Sequence, residues 1–299
     1  MRGPPLPFGM EREQSIVSEN KERALASWLI ERGSVAIGYS GGVDSAYLAR
    51  VALDAVGAAR VLGIIGRSAS YPESQWVAAR ALAREIGLPV LEIDTDELND
   101  PRYAANPTNR CYFCKTELWS RLTPIARERG LAVVVDGTNA DDLLGHRPGA
   151  QAAREHGVVS PLAELGFTKA EIRERSKALG LPTWEQPSSP CLSSRLPYGT
   201  PVTVGRLKRV EAAEAALRKI GIVGDLRVRH FGSRARVELA AVELKAWETG
   251  EARKILESAV RAAGYEDVEL DPRGFRSGAL NELTRSRRES DNGATVSGD

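Results

Sequence analysis

From residue 35 to 136, short runs of β-branched and apolar residues alternate with longer stretches whose apolar positions recur at helical spacing. The short runs predict strands over 35–39, 61–66, 90–94 and 132–136, and the longer ones predict helices over 45–56, 73–86 and 112–129. This alternation is the signature of a parallel sheet covered by helices, a doubly wound α/β core.

Beyond the fourth strand, Thr168 and Glu171 have capping-box spacing, which predicts a helix to about Leu179, stopped by Gly180. Residues 185–203 are rich in Pro and Ser, follow neither period and are expected to form a loop dividing the chain. The pattern then reads helix 203–220, strand 226–230, strand 235–239, helix 250–263 and strand 268–270, a small α+β unit. The expected organisation is an N-terminal domain over 1–185, a C-terminal domain over 186–281 and a disordered tail over 282–299, where charged and small polar residues dominate.

At 299 residues the chain is long enough for a large core and a smaller second domain. The 41 basic and 40 acidic residues nearly cancel, so nothing in the total charge calls for nucleic acid as a partner. No apolar run has membrane-span length and the first ten residues are too weakly apolar for a signal peptide, so a cytoplasmic protein is expected. Three cysteines are too few for a disulfide framework, which leaves free thiols or metal ligands.

Candidate chemistry begins directly after the first strand, with Ser40-Gly41-Gly42-Val43-Asp44-Ser45 opening a helix. Glycines allow a tight turn in which successive N–H groups and the helix dipole point at an anion, with the Ser40 and Ser45 hydroxyls as added donors. The loop has no Gly-Lys-Ser/Thr ending and is not a Walker loop. It resembles the SGGxDS signature of the PP-loop ATP pyrophosphatases, which split ATP to AMP and pyrophosphate. That resemblance implies the PP-loop fold (adenine nucleotide alpha hydrolase-like), and it makes Asp44 a contact to Mg2+ and to the ATP phosphates. Asp136-Gly137-Thr138-Asn139, at the end of the fourth strand, is similar to the second nucleotide-contacting segment of that superfamily, with Gly137 and Thr138 the candidate contacts, at the sheet edge where ligands of open α/β folds gather.

Cys111 and Cys114 form a Cys-x-x-Cys near a helix start, where the dipole favours thiolate. By itself the pair is compatible with redox, zinc, iron–sulfur or purely structural roles. Cys191 lies in the loop Pro190-Cys191-Leu192-Ser193-Ser194-Arg195. Three thiolates suit a 4Fe–4S cluster with one open iron or a zinc with one open position, and the scarcity of His (three in the chain) tilts the expectation to iron–sulfur.

In order along the chain, the phosphate loop, Asp136-Gly137, Arg147-Pro148-Gly149, the run CLSSRLPYGT from Cys191 to Thr200, Arg227-Val228-Arg229 and the run GFRSG from Gly274 to Gly278 resemble the ATP-dependent sacrificial sulfur transferase LarE family. The resemblance covers about residues 35–281. It implies adenylation of a carboxylate on a pyridinium dicarboxylate mononucleotide, followed by sulfur insertion to a thiocarboxylate, a step in making a nickel-pincer nucleotide cofactor. AMP is the leaving group that a bare carboxylate lacks. In family members with a single active-site cysteine, the residue matching Cys191 gives up its sulfur; members with an added Cys-x-x-Cys imply a 4Fe–4S cluster on Cys111, Cys114 and Cys191. The family also implies homo-oligomers, and a sulfur donor that is sulfide, a persulfide protein or Cys191 itself.

On the substrate side, Glu214 falls on the apolar stripe of Leu207, Val210 and Leu217, where a carboxylate is costly unless it is paired or used, or else reaches solvent from the stripe's edge. The family resemblance favours an active-site role for Glu214. Arg227 and Arg229 share one face of a strand, with Arg234 and Arg236 alongside if the two strands pair; such a cluster suits a phosphate or carboxylates, unless it is a solvated face. Ser194 and Arg195 are further substrate-binding candidates, with Arg195 also a candidate for activation. A rival reading is a PP-loop tRNA thiolation enzyme, which the near-neutral charge and the lack of a long basic segment disfavour. An ammonia-using ligase and a non-enzymatic cluster carrier rank below it.

Overall fold

The computed structural model describes residues 8–144, 147–276 and 280. Its elements, in order, are α1 (Phe8–Arg32), β1 (Val35–Gly38), α2 (Val43–Val56), β2 (Val61–Arg67), α3 (Glu73–Glu85), β3 (Val90–Asp94), α4 (Pro101–Ala104), α5 (Arg110–Glu128) and β4 (Val133–Val135). After these come α6 (Pro148–Glu155), α7 (Pro161–Glu164), α8 (Lys169–Ala178), α9 (Val204–Lys219), β5 (Leu226–Phe231), β6 (Arg234–Leu239), α10 (Ala241–Trp247), α11 (Gly250–Ala262) and β7 (Asp267–Leu270). The expected tail over 282–299 lies outside the described residues.

The chain divides into two compact units. One contains residues up to 97 together with 109–189, and the other joins 98–108 to everything from 190 onward. In the first, four parallel strands run in the order β3-β2-β1-β4, extended by a parallel bridge from Val135 to Val159. β1 begins the walk in one direction and β4 lies on its other side, so the chain reverses between them. Loops that leave two such strands diverge and open a crevice at their carboxyl ends.

Both faces of this sheet are covered. Ile37, Tyr47, Leu48 and Phe167 belong to one buried cluster, while Ile64, Trp119 and Leu122 belong to the other. Gly38 is required by that second layer, because a Cβ there would lie 2.5 Å from the Trp119 ring. α8 starts with the expected capping box: Thr168 Oγ1 accepts from Glu171 N, and Glu171 accepts in return from Thr168 N at 2.8 Å.

In the second unit, β5 and β6 pair antiparallel and β6 pairs with β7 in parallel. Leu217 of α9 and Leu256 and Val260 of α11 share a buried cluster with Val228 and Val237 of this sheet. The segment 98–108 belongs here through Val202 N donating to Ala104 O at 2.8 Å and Gly199 N to Asn106 O at 2.9 Å. The residues expected to be loop over 185–203 follow a single 3-10 turn, Pro182–Glu185, and contain another, Leu192–Arg195, around the cysteine loop.

Candidate functional site

The phosphate loop leaves β1 at the crevice. Gly41 has φ +68°, and a Cβ there would lie 2.5 Å from that of Ala79, so both conformation and space demand glycine. Ser45 Oγ lies 3.2 Å from Ser40 N and from Ser40 Oγ, and donates to Gly42 O at 3.1 Å, folding the loop back on its own helix. Tyr71 donates to Ser40 O at 2.9 Å from outside, and its own burial pushes that phenol up to about 12, so it stays a donor. The N-cap of α2, Gly42, offers no side-chain capping bond, which leaves the first N–H groups of the helix available to an anion.

From the other side of the crevice, Gly137 approaches so closely that a Cβ on it would come within 3.0 Å of Ser45 N. Asp136 accepts from Thr138 N, Thr138 Oγ1 and Ser160 Oγ, which fixes the turn after β4. Ser40, Gly41 and Gly42 on the loop, Val43, Asp44 and Ser45 on the first turn of α2, and Gly137 and Thr138 on the turn after β4 therefore lie side by side. Asp44 pairs with Lys169 at the start of α8 and accepts from Asn139 Nδ2 at 3.3 Å. A magnesium ion held by Asp44 would share the carboxylate with that lysine or displace it. The glycine cradle and the open helix start fit a polyphosphate.

Lys169 is an addition that sequence patterning did not assign to the site, whereas Asn139 ends the segment after the fourth strand that the sequence pointed to. The Thr168 capping signal locates the start of α8 but carries no information on which strand end it faces.

The other candidates meet in the second unit. Arg195, 2 % exposed, donates from Nε and Nη2 to Glu214 at 2.9 and 3.0 Å, a two-pronged contact. Its Nη1 donates to Cys191 O at 3.1 Å and lies at the same distance from Ser194 Oγ. Glu214 also accepts from Val228 N at 3.0 Å, so the carboxylate on the apolar stripe is paired rather than led out to solvent. Arg229 donates to Glu238 from two nitrogens and to Ser194 O at 3.0 Å.

Arg227 and Arg229 are both buried, so their part of this face is not solvated, whereas Arg234 at its other end is exposed. Arg236 stands directly across from Arg229, and Arg234 from Phe231. Burial first and Arg195 next push the Arg227 guanidinium down to about 10, with Arg229 adding to the effect and Glu214 opposing it. Cations that depress one another in this way are relieved by an anionic ligand.

Cys111 is exposed on the first turn of α5, with Cys114 half-buried one turn on. Both belong to the first unit, and Cys191, half-buried, belongs to the second. Among the described residues, no group of three or more His, Cys, Asp or Glu is arranged to hold a metal ion. Also among them, no helix is long and apolar enough to cross a membrane.

The parallel order with its glycine loop at the reversal defines an ATP-using PP-loop enzyme of the NAD synthase class, and residues 22–123 match the NAD synthase family. An NH(3)-dependent NAD(+) synthetase of Methanococcoides burtonii is 32% identical over 155 residues, 49% of this chain and 57% of that one. The likeness to two other proteins runs almost end to end. An uncharacterized protein of Synechocystis sp. is 43% identical, covering 89% of this chain and 98% of its own. The pyridinium-3,5-bisthiocarboxylic acid mononucleotide synthase of Lactiplantibacillus plantarum is 34% identical, covering 89% of this chain and 96% of its own. The chain belongs to the family of that synthase, the LarE family of PP-loop sulfurtransferases. The class implies ATP with Mg2+, and the family implies a small nucleotide as the second substrate.

Proposed function

We propose that the chain adenylates a carboxylate of pyridinium-3,5-biscarboxylic acid mononucleotide with ATP and then converts it to the thiocarboxylate. The observation that carries this reading is the arginine cluster on the Cys191 loop, in a chain 34% identical to a synthase of the bisthiocarboxylic mononucleotide. Arg195, Arg227 and Arg229 are assigned to the substrate's anionic groups, with Ser194 as a further contact and Glu214 orienting Arg195. The loop from Ser40 to Ser45, with Gly137 and Thr138, is assigned to the ATP phosphates, and Asp44 to the magnesium ion.

In this scheme a substrate carboxylate oxygen attacks the α-phosphorus, the bond to the β-phosphate oxygen breaks, and pyrophosphate leaves. A sulfur nucleophile then attacks the acyl carbon and AMP departs with the electron pair. If the sulfur is that of Cys191, loss of its α-proton and cleavage of its Cβ–S bond release the thiocarboxylate and leave dehydroalanine.

Cys111, Cys114 and Cys191 are further assigned as ligands of a 4Fe–4S cluster, a reading supported by the presence of all three thiols. Self-association into a homo-oligomer is expected on the same family grounds.

The test is incubation of anaerobically purified protein with ATP, Mg2+ and the dicarboxylate mononucleotide, followed by mass spectrometry of product and protein. Thiocarboxylate with pyrophosphate and AMP is the expected result; pyrophosphate release that ignores the mononucleotide would overturn it. Loss of the mass of hydrogen sulfide from Cys191 identifies a sacrificial donor. Iron and acid-labile sulfide, about four of each per chain and lost in Cys111→Ala, identify the cluster.

A further inference from the structure

The loop over 190–200 carries Cys191, Ser194 and Arg195, yet its only regular structure is the turn Leu192–Arg195. Its first half is gathered by Arg195, whose Nη1 donates to Cys191 O at 3.1 Å. Its second half is gathered from 98–108. Asn106 Nδ2 donates to Pro197 O at 2.8 Å and to Thr200 O at 2.9 Å, with Leu196 O at 3.4 Å. The two amide hydrogens are matched by the two nearer carbonyls. Gly199 N returns a bond to Asn106 O at 2.9 Å, and Tyr103 OH lies 2.7 Å from Ser193 Oγ. Asn106, Tyr103 and Ser193 are all buried.

Among the described residues other than glycine, Asn106 is the one with positive φ, at +56°. Asn tolerates this region better than other residues that carry a Cβ, and a residue kept there marks a conformation the surroundings require. Both demands together select the side chain. Glycine would accept the dihedral but donate nothing, and aspartate would accept the dihedral but turn an acceptor toward three carbonyl oxygens.

We infer that Asn106 is a positioning residue for sulfur transfer, fixing the loop so that Cys191 is held at one place relative to Arg195 and Ser194. The inference deepens the function proposed above and rests on it for the meaning of Cys191, while the geometry of the clasp stands by itself. Tyr103 is the clasp's second point, acting through Ser193.

The test uses the full chain with Asn106→Gly and Asn106→Asp, and two measurements. One is the rate at which iodoacetamide alkylates Cys191, read by peptide mass spectrometry, with Cys111 in the same chain as reference. The other is the ratio of thiocarboxylate formed to pyrophosphate released from ATP and the dicarboxylate mononucleotide. In both variants, Cys191 alkylation should rise relative to Cys111 and the ratio should fall about tenfold or more, as expected when a reacting group loses its fixed position.

Wild-type alkylation in Asn106→Gly overturns the inference. So does a normal Asn106→Asp beside a defective Asn106→Gly, since the cause would then lie in the backbone rather than the donated bonds. Should the wild type form no thiocarboxylate, the proposed function fails while the alkylation comparison still decides the role of Asn106. Where neither variant folds, Tyr103→Phe removes one hydroxyl from the same clasp: faster Cys191 alkylation supports the inference and an unchanged rate overturns it.

Discussion

At the carboxyl end of the parallel sheet, the groups offered to an anion are backbone N–H groups, held by two glycines and an uncapped helix start. On the small sheet they are guanidinium groups, held by carboxylates from distant positions, Glu214 for Arg195 and Glu238 for Arg229. The first arrangement is local, since its geometry is written within six consecutive residues. The second exists only once α9, β5, β6 and the Cys191 loop have met. Backbone groups carry fixed partial charges at little desolvation cost, whereas buried ion pairs depend on every partner being present. Damage should therefore be graded differently in the two places.

The largest effect is expected from Glu214→Ala, which strands the buried Arg195 charge and the Val228 N–H. Urea unfolding should show a loss of about 3–5 kcal/mol, and Arg195→Met on the same background should restore part of it. Next comes acid sensitivity of the small unit. Burial, with Arg206 and Arg209, pushes His230 down to about 4 from an unfolded value of 6.5, and its Nδ1 lies 3.1 Å from Tyr265 OH. Between those values the unfolded chain holds a proton that the folded one does not. Stability from this group is thus fully present above pH 6.5 and lost as pH falls toward 4, by about 3 kcal/mol, and His230→Gln should flatten that slope in urea titrations at pH 7.5 and 4.5.

In the other unit, Gly41→Ala places a Cβ against Ala79 at a left-handed φ and should cost about 1–3 kcal/mol in thermal unfolding, with a raised KM for ATP. A small stability loss with a large KM change would confirm that local geometry, rather than packing, is what that loop supplies. The smallest effect belongs to Thr168→Ala, which removes one half of the capping box and should cost about 1 kcal/mol, read from the same melting curves.

The same contrast explains what the sequence makes legible. All strands of both sheets are visible as β-rich runs; β3 keeps the expected bounds at Val90–Asp94, and the others differ by one residue at an end, β4 at both, where it spans Val133–Val135. The glycine loop is legible because its chemistry and its fold share the same six residues. α1 is not, because Leu25 and Leu29 face inward while Ile16, Val17 and Ile30 are exposed, so its apolar residues trace no single stripe. The pairing of Glu214 with Arg195 is invisible in spacing, and so is the meeting of Lys169 with Asp44, 125 residues apart. Charge partners chosen by tertiary approach leave no period to read.

The excursion of the chain through 98–108 bears on how the molecule is made. As the polypeptide emerges from the ribosome, the first unit has all its residues once position 189 has appeared, but the second holds only eleven of its own by then. Of those eleven, Tyr103 and Asn106 must wait while 90 to 94 further residues are made before the hydroxyl and carbonyls they bind exist. A gene fragment beginning at residue 190 would encode the small sheet and its helices without the clasp on the cysteine loop, and a nick between 97 and 109 would cut the part of the second unit that is made first.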